Sequence, residues 1–266
     1  MSQKKFASLG AALLILAAFG CGGGKDKEAE DATTPDSTPA KAAAPAAAPV
    51  DAADAATVTG MVKFEGAAPK AETIKMKADP VCDKLHPQGH SAETVVVGAG
   101  GELANVFVYI KDYKGPKMPT TTEPAVIDQQ GCTYHPHVFG VMAKQPIKIK
   151  NSDDTLHNIH AMPASQPEFN IAMPLKNTEQ TKTFEKTEIM VKFKCDVHPW
   201  MSAWVGVLDH PFFGTSGADG KFSIKSLPPG KYTVEAWHEV YGTQTQEIEV
   251  KAKETKDISF SFKPKA

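Results

Sequence analysis

The sequence predicts an all-β fold that follows a long N-terminal segment without regular structure. From Thr57 onward, short stretches alternate apolar and polar residues, which is the period of a half-buried strand. Glycines and prolines separate these stretches, and no run of ten residues shows the helical period of 3.6. Many short strands with such turns indicate β-sandwiches or barrels. The chain has 266 residues, enough for about two domains, and its net charge of −2 gives no reason to expect a nucleic-acid partner.

The N-terminus is typical of an exported protein. Lys4 and Lys5 precede an apolar stretch, residues 6–19, that is too short to cross a bilayer comfortably. Residues 16–21, with the sequence Leu-Ala-Ala-Phe-Gly-Cys, resemble a bacterial lipoprotein box, although Ala18 stands where leucine is commonest. This resemblance implies that residues 1–21 are a signal peptide and that Cys21 is lipidated. The alternative is an ordinary cleaved signal peptide, and both readings place the mature protein outside the cytoplasm.

Residues 22–56 are predicted to be a disordered linker. They are rich in alanine, proline, threonine and acidic residues, and Val50 is their only large apolar residue. Such a composition cannot bury a core, so the segment should stay extended and mobile. We expect this linker to let a folded domain extend away from a lipid anchor.

The predicted strands then follow one another to the end of the chain. The clearest of them are residues 58–64, 95–97, 106–110, 147–150, 191–193, 205–207, 222–224, 232–237, 248–250 and 258–262.

The most informative stretch lies between two of these strands. Cys195, His198 and Met201 follow one another at intervals of three residues in what should be a tight loop. Thiolate, imidazole and thioether together suit copper. Zinc is disfavoured because structural zinc sites usually have four strong ligands, and methionine is not one of them.

A fourth ligand is available upstream. There an alternating strand ends in Asn-Ser-Asp-Asp at residues 151–154, and His157-Asn158 follows a few residues later. This arrangement resembles the first-ligand signature of the cupredoxins, the small blue copper proteins. The short Cys-x2-His-x2-Met loop with Pro199 after the histidine is similar to that of the amicyanins, and the resemblance covers roughly residues 125–208.

The resemblance implies a Greek-key sandwich with one type 1 copper. His157, Cys195 and His198 would bind copper in a trigonal plane with Met201 as a weak axial ligand. Asn158 would join the two ligand loops by hydrogen bonds. Electrons would pass through an exposed edge of His198, surrounded by an apolar patch for a redox partner. The candidate patch residues are Met173, Pro174, Pro199 and Trp200.

The last part of the chain carries a second resemblance. Asp219-Gly220-Lys-Phe222-Ser-Ile224 and Leu-Pro-Pro-Gly-Lys-Tyr at residues 227–232 resemble the carboxypeptidase regulatory-like, transthyretin-type sandwich, a non-catalytic domain. The usual opening strands of that family are missing before Asp219 and are found instead near Gly60 and Val106. Either the copper domain (121–208) is inserted into this smaller sandwich (57–120 with 209–266), or residues 57–120 extend the copper domain.

Two further cysteines, Cys82 and Cys132, have two interpretations. In an oxidising compartment they would form a disulfide. The alternative is a second metal site with histidines nearby in sequence, although Pro80, Pro87 and Gly89 argue against the helix that would align these ligands. The candidate histidines are His86, His90, His135 and His137.

The predicted function is that of a periplasm-facing, lipid-anchored electron carrier in a bacterial cell envelope. Its partner would be a redox protein such as a c-type cytochrome or a periplasmic oxidoreductase, and the membrane would be reached only through the lipid. The alternative is a copper-binding, trafficking or docking protein. An enzyme is not expected, because no nucleophile–base pair is evident and Cys195 is the only cysteine in its loop, too few for a binuclear centre.

Overall fold

The computed structural model describes residues 52–264. The predicted signal peptide, the lipidation site Cys21 and residues 22–51 of the predicted linker lie outside the described residues. Between residues 52 and 264, no helix has the length and apolar character that crossing a bilayer requires.

The described residues form eighteen strands, a 3-10 turn at Ala52–Asp54 and one α-helix, α1, at Pro80–Leu85, so the all-β prediction is confirmed. The first nine strands are β1 (Ala56–Phe64), β2 (Thr73–Ile74), β3 (His90–Ser91), β4 (Phe107–Lys111), β5 (Ala125–Gln130), β6 (Thr133–His135), β7 (Val138–Met142), β8 (Ile147–Asn151) and β9 (His157–Met162). The others are β10 (Phe169–Met173), β11 (Thr178–Lys182), β12 (Glu188–Lys194), β13 (Ser202–Leu208), β14 (Phe213–Thr215), β15 (Lys221–Leu227), β16 (Gly230–His238), β17 (Gly242–Val250) and β18 (Thr255–Phe262).

Two sheets from the middle of the chain enclose one hydrophobic core, and we call this unit the metal-site sandwich. Its strand orders are β10-β9-β12-β13-β7 and β11-β8-β5-β6. The alternating sequence of β8 explains its place, because Ile147 and Ile149 point into the core while Lys148 and Lys150 stay partly exposed. Phe193 and Val205 meet these residues from the other sheet.

Two further sheets form the C-terminal sandwich. Their strand orders are β15-β1-β18 and β14-β4-β16-β17. Val62, Ile224, Val234 and Phe260 are among the buried residues between them. Each comes from an alternating stretch, so the period-2 pattern again determines which side chains are buried.

Strands from both sides of the metal-site sandwich in sequence build the C-terminal sandwich. β1 lies between β15, to which it is antiparallel, and β18, to which it is parallel. Gly60 permits this close pairing, because a Cβ at that position would lie 2.0 Å from the Ile258 carbonyl oxygen. β4 likewise pairs with β14 and β16. The metal-site sandwich therefore lies, in chain order, between two parts of the other sandwich.

A smaller aromatic cluster joins the two sandwiches. Phe107 and Tyr109 of β4 pack with Val138 of β7 and Leu208 of β13. Gly206 faces this cluster, and a Cβ there would lie 2.4 Å from Phe107 Cε1. The glycine thus makes room for an aromatic ring at the interface.

The segment from β2 to β3 covers one end of the metal-site sandwich, and we call residues 73–91 the cap. It contains α1, although the prolines had argued against a helix in this region. That expectation is wrong for residues 80–85, because Pro80 occupies the first turn, where the missing N–H costs nothing. Asp79 caps the helix by accepting hydrogen bonds from the backbone N–H groups of Val81 and Cys82.

Candidate metal centre

Strand direction brings the predicted ligands together. β12 is antiparallel to both β9 and β13, so the end of β12 meets the starts of the other two strands at one edge of the sheet. His157 opens β9, Cys195 follows the end of β12, and Met201 precedes β13. His198 lies in the loop between Cys195 and Met201.

Three of these side chains form a buried cluster whose ligand atoms all lie within 4.8 Å of one another: His157, Cys195 and His198. The Nδ1 atoms of the two histidines are 2.9 Å apart, and Cys195 Sγ is 4.0 Å from His198 Nδ1. Two nitrogens bound to one metal at about 2.0 Å would stand roughly 3 Å apart, so these spacings suit a shared ion.

Each histidine faces a carboxylate on its outer nitrogen. His157 Nε2 lies 2.9 Å from Asp153 Oδ2, and His198 Nε2 lies 3.3 Å from Asp79 Oδ2. A carboxylate accepts hydrogen bonds only, so the ring protons belong on the two Nε2 atoms. The two Nδ1 lone pairs then point at each other across 2.9 Å, an arrangement that calls for a cation between them.

The thiol of Cys195 is prepared to act as a thiolate. Burial alone raises its pKa, but the neighbouring His157 and His198 side chains outweigh that effect and lower the pKa to about 6. The backbone N–H of His198 also donates to Cys195 Sγ, at 3.4 Å. Soft metals bind the thiolate form, so this environment favours metal binding at neutral pH.

The backbone holds the loop in a tight turn. Met201 N–H donates to the His198 carbonyl at 2.9 Å, and Cys195 N–H donates to the Met201 carbonyl at 3.2 Å. The Met201 side chain is buried with Cys195 in the core. The Met201 thioether is therefore a candidate for a further, weak ligand.

Asn158 connects the two ligand segments. Its Oδ1 accepts hydrogen bonds from the Asp196 N–H at 2.7 Å and from the Cys195 thiol at 3.2 Å. The residue after His157 thus fixes the position of the residues around Cys195. His160, three positions further on, bonds to Asp196 and Glu168 and not to the ligand cluster.

The expected exposed edge of His198 is not present, and this expectation is wrong. His198 is 2% exposed because the cap lies over its outer edge, with Asp79 and the sulfur of Cys82 next to Nε2. Met173, predicted for the surface patch, is also 2% exposed and belongs to the core. Pro174 and Pro199 are exposed, and the partly buried Trp200 lies against the His198 ring with centroids 5.0 Å apart.

Cys82 and Cys132 form a disulfide with an S–S distance of 2.03 Å. The two sulfurs therefore cannot act as thiolates in a second metal site. The described residues contain no metal-ligating cluster built from the candidate histidines His86, His90, His135 and His137. His137 bonds instead to the Ser202 carbonyl and to Glu239.

The sequence did not reveal the roles of Asp79 and Asp153. Asp153 was part of the turn before His157, and its spacing of four residues was the available signal. Asp79 is 119 residues from His198, and no local pattern links them. The Asp79-Pro80 pair is typical of a helix start, but it says nothing about a metal ligand.

The two sheets of the metal-site sandwich carry this ligand set at one end. Residues 208–263 match the carboxypeptidase regulatory-like domain. The matched domain model reaches from the end of β13 to the last strand, where the sequence carried the regulatory-like motifs.

Several solved structures match part of the chain at low identity. A purple cupredoxin from Nitrosopumilus maritimus is 23% identical, with 31% of this chain and 98% of that chain covered and a TM-score of 0.27. A Cu(I) form of an amicyanin variant is 21% identical over 32% and 81% of the two chains, with a TM-score of 0.29. A copper-containing nitrite reductase from Thermus scotoductus SA-01 is 16% identical over 37% and 25%, with a TM-score of 0.28. No curated protein matches the chain.

Proposed function

We propose that this chain is a mononuclear copper protein that carries single electrons between redox partners in the bacterial cell envelope. The observation that carries this proposal is the pair of Nδ1 atoms 2.9 Å apart beside a buried cysteine of lowered pKa. One thiolate, two imidazoles and a thioether form a donor set that suits both oxidation states of copper. Bound copper would supply the one-electron exchange.

The protein's own residues would keep the ligands from moving during that exchange. His157 is fixed by Asp153, and His198 is fixed by Asp79. Asn158 holds the start of the cysteine loop. A site whose ligands stay in place loses little energy to reorganisation, so it suits rapid electron transfer.

Because the outer edge of His198 is covered, we expect a redox partner to approach through a neighbouring residue. Trp200 contacts the His198 ring and lines a cavity of about 560 Å³ together with Pro199 and Met201. We propose that a c-type cytochrome or a similar redox protein docks at this face. Replacement of Trp200 by leucine should slow reduction by such a cytochrome in stopped-flow measurements, whereas replacement of the exposed Lys231 on the C-terminal sandwich by alanine should not.

The test of the copper assignment is optical. Purified protein loaded with Cu(II) should show an intense visible thiolate-to-copper charge-transfer band and should cycle reversibly between its two oxidation states. Cys195→Ser should abolish the band, and its survival in that variant would refute the assignment. Met201→Leu should keep the band and change the reduction potential, because an axial ligand mainly tunes the potential.

The proposed location rests on the sequence of residues 1–21. Lipidation of Cys21 would keep the protein on a membrane with its folded part in the periplasm or at the cell surface. Cys21→Ser should move the protein from the membrane fraction to the soluble periplasmic or secreted fraction. An unchanged distribution would contradict the lipid anchor without affecting the copper assignment.

A further inference from the structure

The second carboxylate at the metal cluster comes from outside the metal-site sandwich. Asp153 belongs to the turn that precedes His157, whereas Asp79 belongs to the cap, 119 residues before His198. The cap therefore supplies a charged group to a ligand that the sandwich alone would leave uncovered. Cys82, three residues after Asp79, also lies 4.0 Å from His198 Nε2 through its sulfur.

Asp79 is held from several directions. Its Oδ1 accepts the N–H groups of Val81 and Cys82 at 2.7 and 3.0 Å, which fixes the carboxylate to the start of α1. Its Oδ2 accepts from Thr155 Oγ1 at 2.8 Å and faces His198 Nε2 at 3.3 Å. The side chain is 17% exposed, so water screens its charge only in part.

The disulfide joins the two carboxylate positions. Cys82 is in the helix that Asp79 caps, and Cys132 donates its backbone N–H to Asp153 Oδ2 at 2.7 Å. Gly131 N–H donates to the other oxygen of Asp153 at 2.8 Å. The disulfide thus links the segment that holds Asp79, beside His198, to the segment that holds Asp153, beside His157.

We propose that Asp79 is a positioning residue that turns His198 Nδ1 toward the metal and lowers the reduction potential of the centre, and that the Cys82–Cys132 bridge holds Asp79 in place. This inference rests on the copper function proposed above. A carboxylate on the outer N–H makes an imidazole a stronger donor. Stronger donation and a nearby negative charge both stabilise Cu(II) relative to Cu(I).

The test compares the full chain, loaded with copper, in three variants. Asp79→Asn and Asp79→Ser both keep a side chain that can cap α1, but both remove the charge that faces His198. Asp83→Asn is the matched control, because it removes the same charge from the same helix without a side-chain contact to the cluster. We expect the Cu(II)/Cu(I) ratio at a fixed mediator potential to fall about tenfold in the Asp79 variants, equivalent to a potential higher by about 59 mV, and to stay unchanged in the control.

A second measurement needs no metal. In the copper-free wild type, the His198 imidazole should carry its proton on Nε2 and exchange it slowly with solvent in NMR spectra. The Asp79 variants should lose that slow exchange, whereas Asp83→Asn should retain it. Intact copper binding with a wild-type potential and a wild-type His198 signal in both Asp79 variants would overturn the inference.

The role of the bridge is tested by a double-mutant cycle. The Cys82→Ala/Cys132→Ala variant should shift the potential in the same direction, and addition of Asp79→Asn should then have little further effect. Fully additive shifts would show that the bridge does not act through Asp79. Absence of the visible band in the wild type would instead refute the copper function itself, so the two failures are distinguishable.

Discussion

At the residue scale, the positions of two protons determine what His157 and His198 can bind. Each outer nitrogen faces a carboxylate, and each inner nitrogen faces the other ring across 2.9 Å. Two lone pairs at that distance repel each other unless a cation lies between them. Two carboxylates that are not themselves assigned as ligands therefore orient both rings toward an ion.

Asp153 provides the first prediction at this scale. Asp153→Asn removes the charge that accepts from His157 Nε2 and from the Cys132 N–H. Loss of such a partner typically weakens metal affinity 10- to 100-fold, and we expect a decrease of about that size for copper. Competition with a chelator of known affinity measures it. The exposed neighbour provides a control, since Asp154→Asn should leave the affinity unchanged, and equal effects of both changes would contradict the assigned role.

His238 provides a prediction for pH dependence away from the metal cluster. Burial lowers the pKa of this imidazole to about 4, with Glu239 raising it and His137 lowering it further. Tyr241 and Phe262 pack against the ring, and Nδ1 accepts the Val240 N–H at 3.1 Å. The folded protein thus keeps His238 neutral where the unfolded chain, with a pKa near 6.5, is protonated.

The sign of the effect follows from these two pKa values. The contribution of neutral His238 to stability is fully present above about pH 6.5 and is lost progressively as the pH falls toward 4. The total loss should be roughly 3 kcal/mol in the free energy of unfolding. His238→Asn keeps an acceptor for Val240 but does not titrate, so urea titrations between pH 4 and pH 7 should show a flatter dependence. Identical slopes for both proteins would contradict the prediction.

At the scale of the element, the ligand loop was predictable and the cap was not. Cys195, His198 and Met201 lie within seven residues, so their spacing alone indicates a metal loop. His157 required a second motif at a consistent distance. The cap depends on a long-range contact between α1 and the ligand end of the sandwich, and no periodicity in residues 73–91 encodes that contact.

The same limit explains the error about His198. A histidine in a short loop at the end of a sandwich is expected to be exposed if nothing covers that end. The tertiary position of Asp79 and the bridge from Cys82 to Cys132 cover its outer edge. The composition of the cap gave no sign of where it would pack.

The contact between β13 and β4 at the interface of the sandwiches gives a prediction about stability. Gly206 of β13 faces Phe107 so closely that a Cβ would lie 2.4 Å from the ring. Gly206→Val should therefore force β4 away from β13 and destabilise the protein by about 1–3 kcal/mol. Gly217→Ala is the control, because its nearest neighbour is the movable Asp219 side chain at 3.2 Å. Chemical denaturation measures both, and a wild-type stability for Gly206→Val would contradict the packing described.

At the scale of the whole molecule, the sequence predicted two β-sandwiches but left their arrangement open. The motifs on both sides of the metal-site sandwich allowed either an insertion or two consecutive domains. Strand pairing distinguishes these two arrangements. The pairing of Gly60 with Ile258 joins residues far apart in sequence, so no local pattern reveals it. The sequence therefore predicts which motifs are present, whereas the folded structure is needed to see which distant strands pair.

Contact between the sandwiches leads to a prediction about cooperativity. The interface between the sandwiches is apolar and buried, so the two sandwiches should stabilise each other. It includes Phe107, Tyr109, Val138 and Leu208. We expect one calorimetric transition for the wild type, with a higher midpoint after copper is added, because a ligand that binds only the folded state stabilises it. Gly206→Val should separate this transition into two, of which copper shifts only one. Two transitions in the wild type would contradict the coupling.

The pairing of β1 with β18 also has a consequence for how the protein is made. The metal-site sandwich has all its strands once Leu208 has emerged, but β1 lacks its parallel partner until Phe262 follows. During synthesis, β1 must therefore remain without its parallel partner until β18 has been made. A chain cut short by proteolysis or premature termination would present a finished metal site beside a strand with unpaired backbone groups, the feature that promotes edge-to-edge aggregation. The presence of β18 thus determines whether the edge of β1 is paired or exposed.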